Sequence, residues 1–199
     1  MKEVHRIVLD TSVFTNPEIR AELGSTPTEA LLAFLDLARG IESMRFFLPA
    51  SVWEELNTFL EPDRVPPDAE LVLERKSPAK FDLTVPAVVL YELIDDVRRR
   101  VDKGLRVAEE LARQSMAPGA DEETIIQTLR RRYRESLREG IIDSTEDVEL
   151  ILLAKEMDAV LVSADRGVTS WAEKLGIRTF EPRRLPALLR ERAVRAEPG

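Results

Sequence analysis

The chain reads as an α/β protein with a mostly parallel, twisted sheet flanked by helices and interrupted by a long antiparallel helical hairpin. Short apolar runs at Arg6–Asp10, Met44–Leu48, 159–163 and Ile177–Phe180 alternate with segments of helical periodicity. That alternation is the pattern of parallel strands joined by right-handed crossovers. An Arg-rich stretch at 86–140 carries two long helical repeats instead. Four aspartates, Asp10, Asp143, Asp147 and Asp165, fall at strand ends and at a helix start.

The elements follow in order. After the first strand, a loop through Asn16-Pro17 and Ser25-Thr26-Pro27 leads to a helix over 28–39, where Leu31, Leu32, Leu35 and Ala38 recur at helical spacing. Pro49 stops the second strand. Ser51-Val52-Trp53-Glu54 matches a capping box, with Ser51 as N-cap. Residues 61–85 are rich in proline and charge and read as a loop, with an extended piece at Phe81–Val85. Pro86 suits the first turn of a helix over 87–114, in which Leu90, Ile94, Val97, Val101, Leu105, Ala108 and Ala112 form a packing seam. Asp121 caps a second helix over 122–139 with its own seam of Ile126, Leu129, Tyr133 and Leu137, and Gly140 ends it. Helices over 144–157, 168–175 and 185–192 complete the chain. The α/β domain is thus split in sequence into 1–85 and 141–199, around an inserted hairpin at 86–140.

Composition narrows the chemistry. Among 199 residues there are no cysteines and one histidine, which removes disulfides, thiol nucleophiles and Cys/His metal sites. His5 reads as a polar residue before the first strand. A formal charge of −8 argues against attraction to nucleic acid over the whole surface. It leaves room for a local basic patch, because fields decay within about 8–10 Å at ordinary salt. No apolar run reaches the roughly 18–20 residues that span a bilayer, and the N-terminus lacks a signal-like apolar stretch, so the expectation is a cytoplasmic protein without a membrane partner. Neither a dinucleotide nor a P-loop glycine motif occurs.

Each aspartate taken alone is explained as a cap or turn residue. Together they form a pattern. Asp10 and Asp165 close strands, and ligand sites of parallel sheets lie at the carboxyl ends of strands. Asp143 and Asp147 are four apart, on one face of a helix whose body (Val148, Leu150, Ile151, Leu152, Leu153, Ala154) is apolar nearly all round. Two like charges 4 Å apart repel by ~4 kcal/mol at an effective dielectric of 20, so such a set calls for protons or a cation. Oxygen-only ligation favours Mg²⁺ or Mn²⁺ over Zn²⁺, which is the chemistry of metal-assisted phosphodiester hydrolysis.

With Val8-Leu9-Asp10-Thr11-Ser12, the acidic pair Asp143 and Asp147, and Ser163-Ala164-Asp165, the chain resembles the PIN-domain nucleases. That resemblance implies catalytic, metal-holding roles for Asp10, Asp143, Asp147 and Asp165. Glu55, followed by Leu56, matches a further acidic position of the family, whereas Glu54 reads as the capping-box residue. The Arg-rich hairpin before the central pair makes nearly the whole chain similar to the small PIN proteins once called RNA ligase partners. That group includes the minimal protein-only ribonuclease P known as HARP (homologue of Aquifex RNase P). The resemblance implies an endoribonuclease that removes the 5′ leader of precursor tRNA with divalent metal, and a large homo-oligomer built through the hairpin.

The hairpin itself is close to neutral. Arg131, Arg134 and Arg138 step by three and four on its second helix, flanked by Arg130, while Arg98 and Arg99 belong to a basic cluster on the first. Singly these residues read as a solvated face; as a group they suit bidentate contacts with RNA phosphates. Two other readings compete: a toxin-type PIN ribonuclease cutting another RNA, which the long hairpin argues against, and a non-catalytic RNA ligase partner or scaffold, which has no need of four clustered acids.

Overall fold

The computed structural model describes residues 4–138, 142 and 144–196; the side chains of Leu137, Arg138 and Ala196 are outside this range of description. Asp143 and Gly140, both singled out above, lie outside the described residues. The chain forms two compact units, Met1–Leu83 with Ser144–Gly199, and Thr84–Asp143.

In chain order the elements are β1 (His5–Leu9), α1 (Ser12–Thr15), α2 (Pro17–Arg20), α3 (Pro27–Ala38), β2 (Met44–Leu48), α4 (Ala50–Asn57), α5 (Ala69–Val72) and β3 (Leu73–Arg75). The second unit supplies α6 (Val88–Ser115) and α7 (Glu122–Arg138). The first resumes with α8 (Thr145–Glu156), β4 (Val160–Val162), α9 (Arg166–Lys174) and α10 (Leu185–Ala196). No helix among the described residues is long and apolar enough to cross a membrane.

The four strands pair in parallel in the order β3-β2-β1-β4, with Ile7 opposite both Phe46 and Val160. The chain therefore leaves β1 toward β2 and β3 on one side and returns to β4 on the other. This makes the carboxyl ends of β1 and β4 the point where the winding reverses, and such a reversal opens a crevice above the sheet. Phe34 of α3 packs edge-on against both Phe14 and Phe46, at centroid distances of 5.4 and 5.0 Å. On α8, Leu150, Ile151, Leu153 and Ala154 are buried, while Val148 is exposed.

Four local expectations change. The stretch 61–85, expected as a loop with an extended piece at Phe81–Val85, contains strand β3, where Leu73 lies opposite Phe46 and is buried; Phe81 is fully exposed. The stretch Ile177–Phe180 contributes one parallel bridge, Leu161 to Thr179, rather than a strand. Helix α4 begins at Ala50 with Pro49 in the cap position, so Ser51 caps nothing and its hydroxyl turns elsewhere.

The fourth change concerns the hairpin. Gly104 meets the ring of Tyr133 so closely that a Cβ at that position would lie 2.6 Å from it. Arg132 bonds Glu110 through two N–H groups at 3.0 and 2.8 Å, and Leu111 is buried. The expected seam, however, is mostly open: Leu90, Ile94, Val97, Val101 and Leu105 are between 48% and 60% exposed. Helix α7 has 17 residues against 28 in α6, roughly 26 Å against 42 Å at 1.5 Å per residue. Among the described residues the close approach of the two helices is at Gly104 and Tyr133, with Leu111 buried, while this part of the apolar row stays exposed.

Candidate active site

Asp10 stands at the end of β1 and is 7% exposed. Its backbone N–H donates to the Val162 carbonyl of β4 at 3.0 Å, which draws the two strand ends together. Its Oδ2 accepts from Ser12 Oγ at 2.6 Å and from Ser163 Oγ at 2.5 Å. Each serine also accepts a backbone N–H, Ser12 from Ala164 and Ser163 from Asp165, both at 3.0 Å. Two hydroxyls thus stitch the ends of β1 and β4 through one carboxylate oxygen. A hydroxyl has a single proton to give, so both protons are spent on Asp10.

The other oxygen, Oδ1, lies 3.2 Å from Thr11 Oγ1, which lies equally close to Glu55 Oε2 on α4. One proton serves two carboxylates. Glu55 is pushed above the usual carboxylate range, first by partial burial, then by the negative charges of Asp10 and Glu146, against the opposing effect of the Thr11 bond. The structure thus brings Asp10 and Glu55 together through the Thr11 hydroxyl. Glu146, in the first turn of α8, is held below the usual range by backbone hydrogen bonds at the helix start. Its only signal in the sequence was its position beside Asp147.

Asp165 caps α9, with Oδ1 accepting from Gly167 N–H at 2.6 Å and Val168 N–H at 3.0 Å. The turn reading and the site reading are therefore compatible: one oxygen caps, and the other is left over. Asp147 lies in the first turn of α8, its N–H bonded to the N-cap Ser144 at 3.1 Å. Among the described residues no three acids stand close enough to enclose a cation as they are; Asp143 is outside that set. The donor chemistry fits a hard divalent ion nonetheless. All donors are oxygens, and Glu55 is disfavoured as an anion first by partial burial and then by the charges of Asp10 and Glu146, which a cation would offset.

On the second unit, Arg98, Arg130, Arg131 and Arg134 are exposed. Arg131 reaches Glu135 at 3.3 Å, and Arg99 is bonded to the buried Asp96. The Arg138 side chain lies outside the described residues.

The sequence matches the family described as PINc domain ribonuclease over residues 6–193. It is 49% identical over 193 residues to an RNA-free ribonuclease P of Pyrococcus furiosus, covering 96% of both chains. Against the RNA-free ribonuclease P of Thermococcus onnurineus it is 52% identical over 177 residues, covering 88% of this chain and 89% of that one. The corresponding protein of Nitrosococcus oceani is 46% identical over 188 residues, covering 94% of each.

The raised Glu55 gives a pH signature. The folded protein binds this proton more tightly than the unfolded chain does. The associated stability is complete below the ordinary glutamate pKa and is lost as pH rises through the elevated one. Glu55→Gln removes that loss, so in EDTA the variant melts above wild type near neutral pH. The gap closes at about pH 4 and below. Thermal melts at the two pH values check this; a constant gap contradicts the raised pKa.

Proposed function

We propose that this chain, which belongs to the RNA-free ribonuclease P family of PINc-domain ribonucleases, cuts precursor tRNA at the 5′ end of the mature sequence. It is an endoribonuclease, and the reaction is hydrolysis of one phosphodiester bond, leaving a 3′-hydroxyl on the released leader. The observation that supports the site most directly is Asp10, anchored where β1 meets β4 with Glu55 sharing its hydroxyl donor. PIN nucleases are generally divalent-metal dependent, and the finer reading is one or two Mg²⁺ or Mn²⁺ ions held by Asp10, Asp143, Asp147 and Asp165, with Glu55 beside them. When bound, such an ion supplies a Lewis acid for the scissile phosphate and a more acidic water.

The residues of the chain do the rest. Ser12 and Ser163 hold Asp10 Oδ2, which leaves Oδ1 as the oxygen facing Thr11 and Glu55. Asp165 spends Oδ1 on α9 and keeps Oδ2 for the site. The substrate's backbone is gripped by arginines of the hairpin, with Arg98, Arg130, Arg131 and Arg134 better placed than Arg99, which is committed to Asp96. RNA helices are read mostly through shape, phosphates and 2′-hydroxyls, so an exposed row of guanidinium groups is the right reagent. The open apolar row on α6 is the surface on which copies of this chain assemble, since a stripe of this kind ordinarily marks a contact. The work of such an enzyme is cytoplasmic.

Three outcomes test this reading. Purified protein with Mg²⁺ and 5′-labelled precursor tRNA gives one cut at the mature 5′ end, and Asp143→Asn abolishes it; no cut, or cuts elsewhere, overturns the assignment. The double variant Arg131→Ala/Arg134→Ala weakens binding and lowers the slope of log affinity against log salt by about one to two units, measured by filter binding across a salt series. Val97→Asp with Val101→Asp places charge in the apolar row and shifts light scattering toward a smaller species; an unchanged mass removes that surface from assembly.

A further inference from the structure

We infer that Glu149 is a positioning residue, which sets the helix bearing Glu146 and Asp147 against the helix bearing Glu55. Three acids are buried among the described residues: Asp10, Asp96 and Glu149. Asp10 belongs to the site and Asp96 is bonded by Arg99. Glu149, 7% exposed on α8, has no place in the reaction described above. Burying a carboxylate is costly unless its oxygens are satisfied, and the way they are satisfied is informative.

Its Oε2 accepts from Ser51 Oγ at 2.7 Å, and its Oε1 accepts from Lys80 Nζ. Ser51 lies on α4 four residues before Glu55, and Glu149 lies on α8 three residues after Glu146. Residues three and four apart share a helix face. The Ser51–Glu149 bond is therefore a direct tie between the face of α4 that carries Glu55 and the face of α8 that carries Glu146. It also explains why Ser51 is not the cap of α4. Two turns further along α8, Glu156 accepts from Ala79 N–H at 2.7 Å and pairs with Lys76 Nζ at 3.2 Å. Pro78 between them is buried. One face of α8 thus clamps segment 76–80, which runs on in sequence to the Arg-rich hairpin, while its amino end presents acids to the site.

This inference rests on the acidic set being a metal-dependent nuclease centre. A misplacement of about 1 Å at such a centre costs on the order of 100-fold in rate. Loss of the tie therefore acts on the chemical step and on cation affinity, with substrate binding spared.

The test compares wild type, Glu149→Ala and Glu149→Gln in single-turnover cleavage of 5′-labelled precursor tRNA across a Mg²⁺ titration, with Mg²⁺-induced shifts in Tm measured alongside. Glu149→Ala lowers the cleavage rate at least about tenfold, raises the Mg²⁺ midpoint and shrinks the Tm shift, while Kd for precursor tRNA stays within about twofold. Glu149→Gln recovers to within about threefold of wild type, because its amide oxygen accepts from Lys80 and its amide N–H donates to Ser51 Oγ. An alanine variant with the wild-type rate and Mg²⁺ midpoint overturns the inference. If that variant does not fold, Ser51→Ala removes the single bond instead, and wild-type values in it overturn the inference equally. A wild-type protein that leaves precursor tRNA uncut overturns the proposed function, and the Mg²⁺-induced Tm shift then still decides the role of Glu149.

Discussion

Two serine hydroxyls donate to one oxygen of Asp10, and the arrangement of the site follows from that pair. Ser12 follows the end of β1 and Ser163 the end of β4; Ser12 accepts the Ala164 N–H from the opposite turn, and Ser163 accepts the Asp165 N–H of its own turn. The parallel pairing of β1 with β4 puts the two turns side by side, and the hydroxyls convert that proximity into a fixed carboxylate. Because Oδ2 is saturated, only Oδ1 remains to meet Thr11 and the neighbouring acid Glu55. Buried polar networks are costly when half-satisfied and rigid when complete; this one is complete on the Asp10 side.

The acids beyond Asp10 are delivered by helix starts. Asp165 caps α9, and Glu146 and Asp147 lie in the first turn of α8. A helix start carries positive partial charge, which offsets some of the repulsion among carboxylates gathered there. Residues that look like ordinary caps are thus suited to a second role, because capping uses one oxygen of two. The second unit is built on the opposite principle. Among its described residues few side chains are buried, a tight crossing lies at Gly104 and Tyr133, and an apolar row is left on the surface.

Much of this was legible in the residues. The strand at 44–48, the strand expected at 159–163 and found at Val160–Val162, and the long helices could be read from periodicity and punctuation. The element misread most plainly was β3, because a three-residue strand has no periodicity to detect and Pro-rich surroundings suggested only loop. Glu55 matches the acidic position, while Ser51-to-Glu54 has the spacing of a capping box. The box does not form, since Pro49 takes the cap position and Ser51 Oγ goes to Glu149, 98 residues away. Local pattern offered a short-range partner, and a long-range one prevailed.

By itself the sequence determined which residues could end strands, start helices and carry negative charge, because those properties are local and depend on periods of two and about 3.6 residues. It also determined the family, through 43–52% identity to RNA-free ribonuclease P proteins over most of the chain. The tertiary structure decided which hydroxyl serves which acid. It made Ser163 the partner of Asp10, Thr11 the shared donor of Asp10 and Glu55, and Glu149 the tie between two helices. It also decided that the apolar row of α6 faces outward. These are distances between residues far apart in the chain, fixed by strand order and helix packing, and no local pattern encodes them.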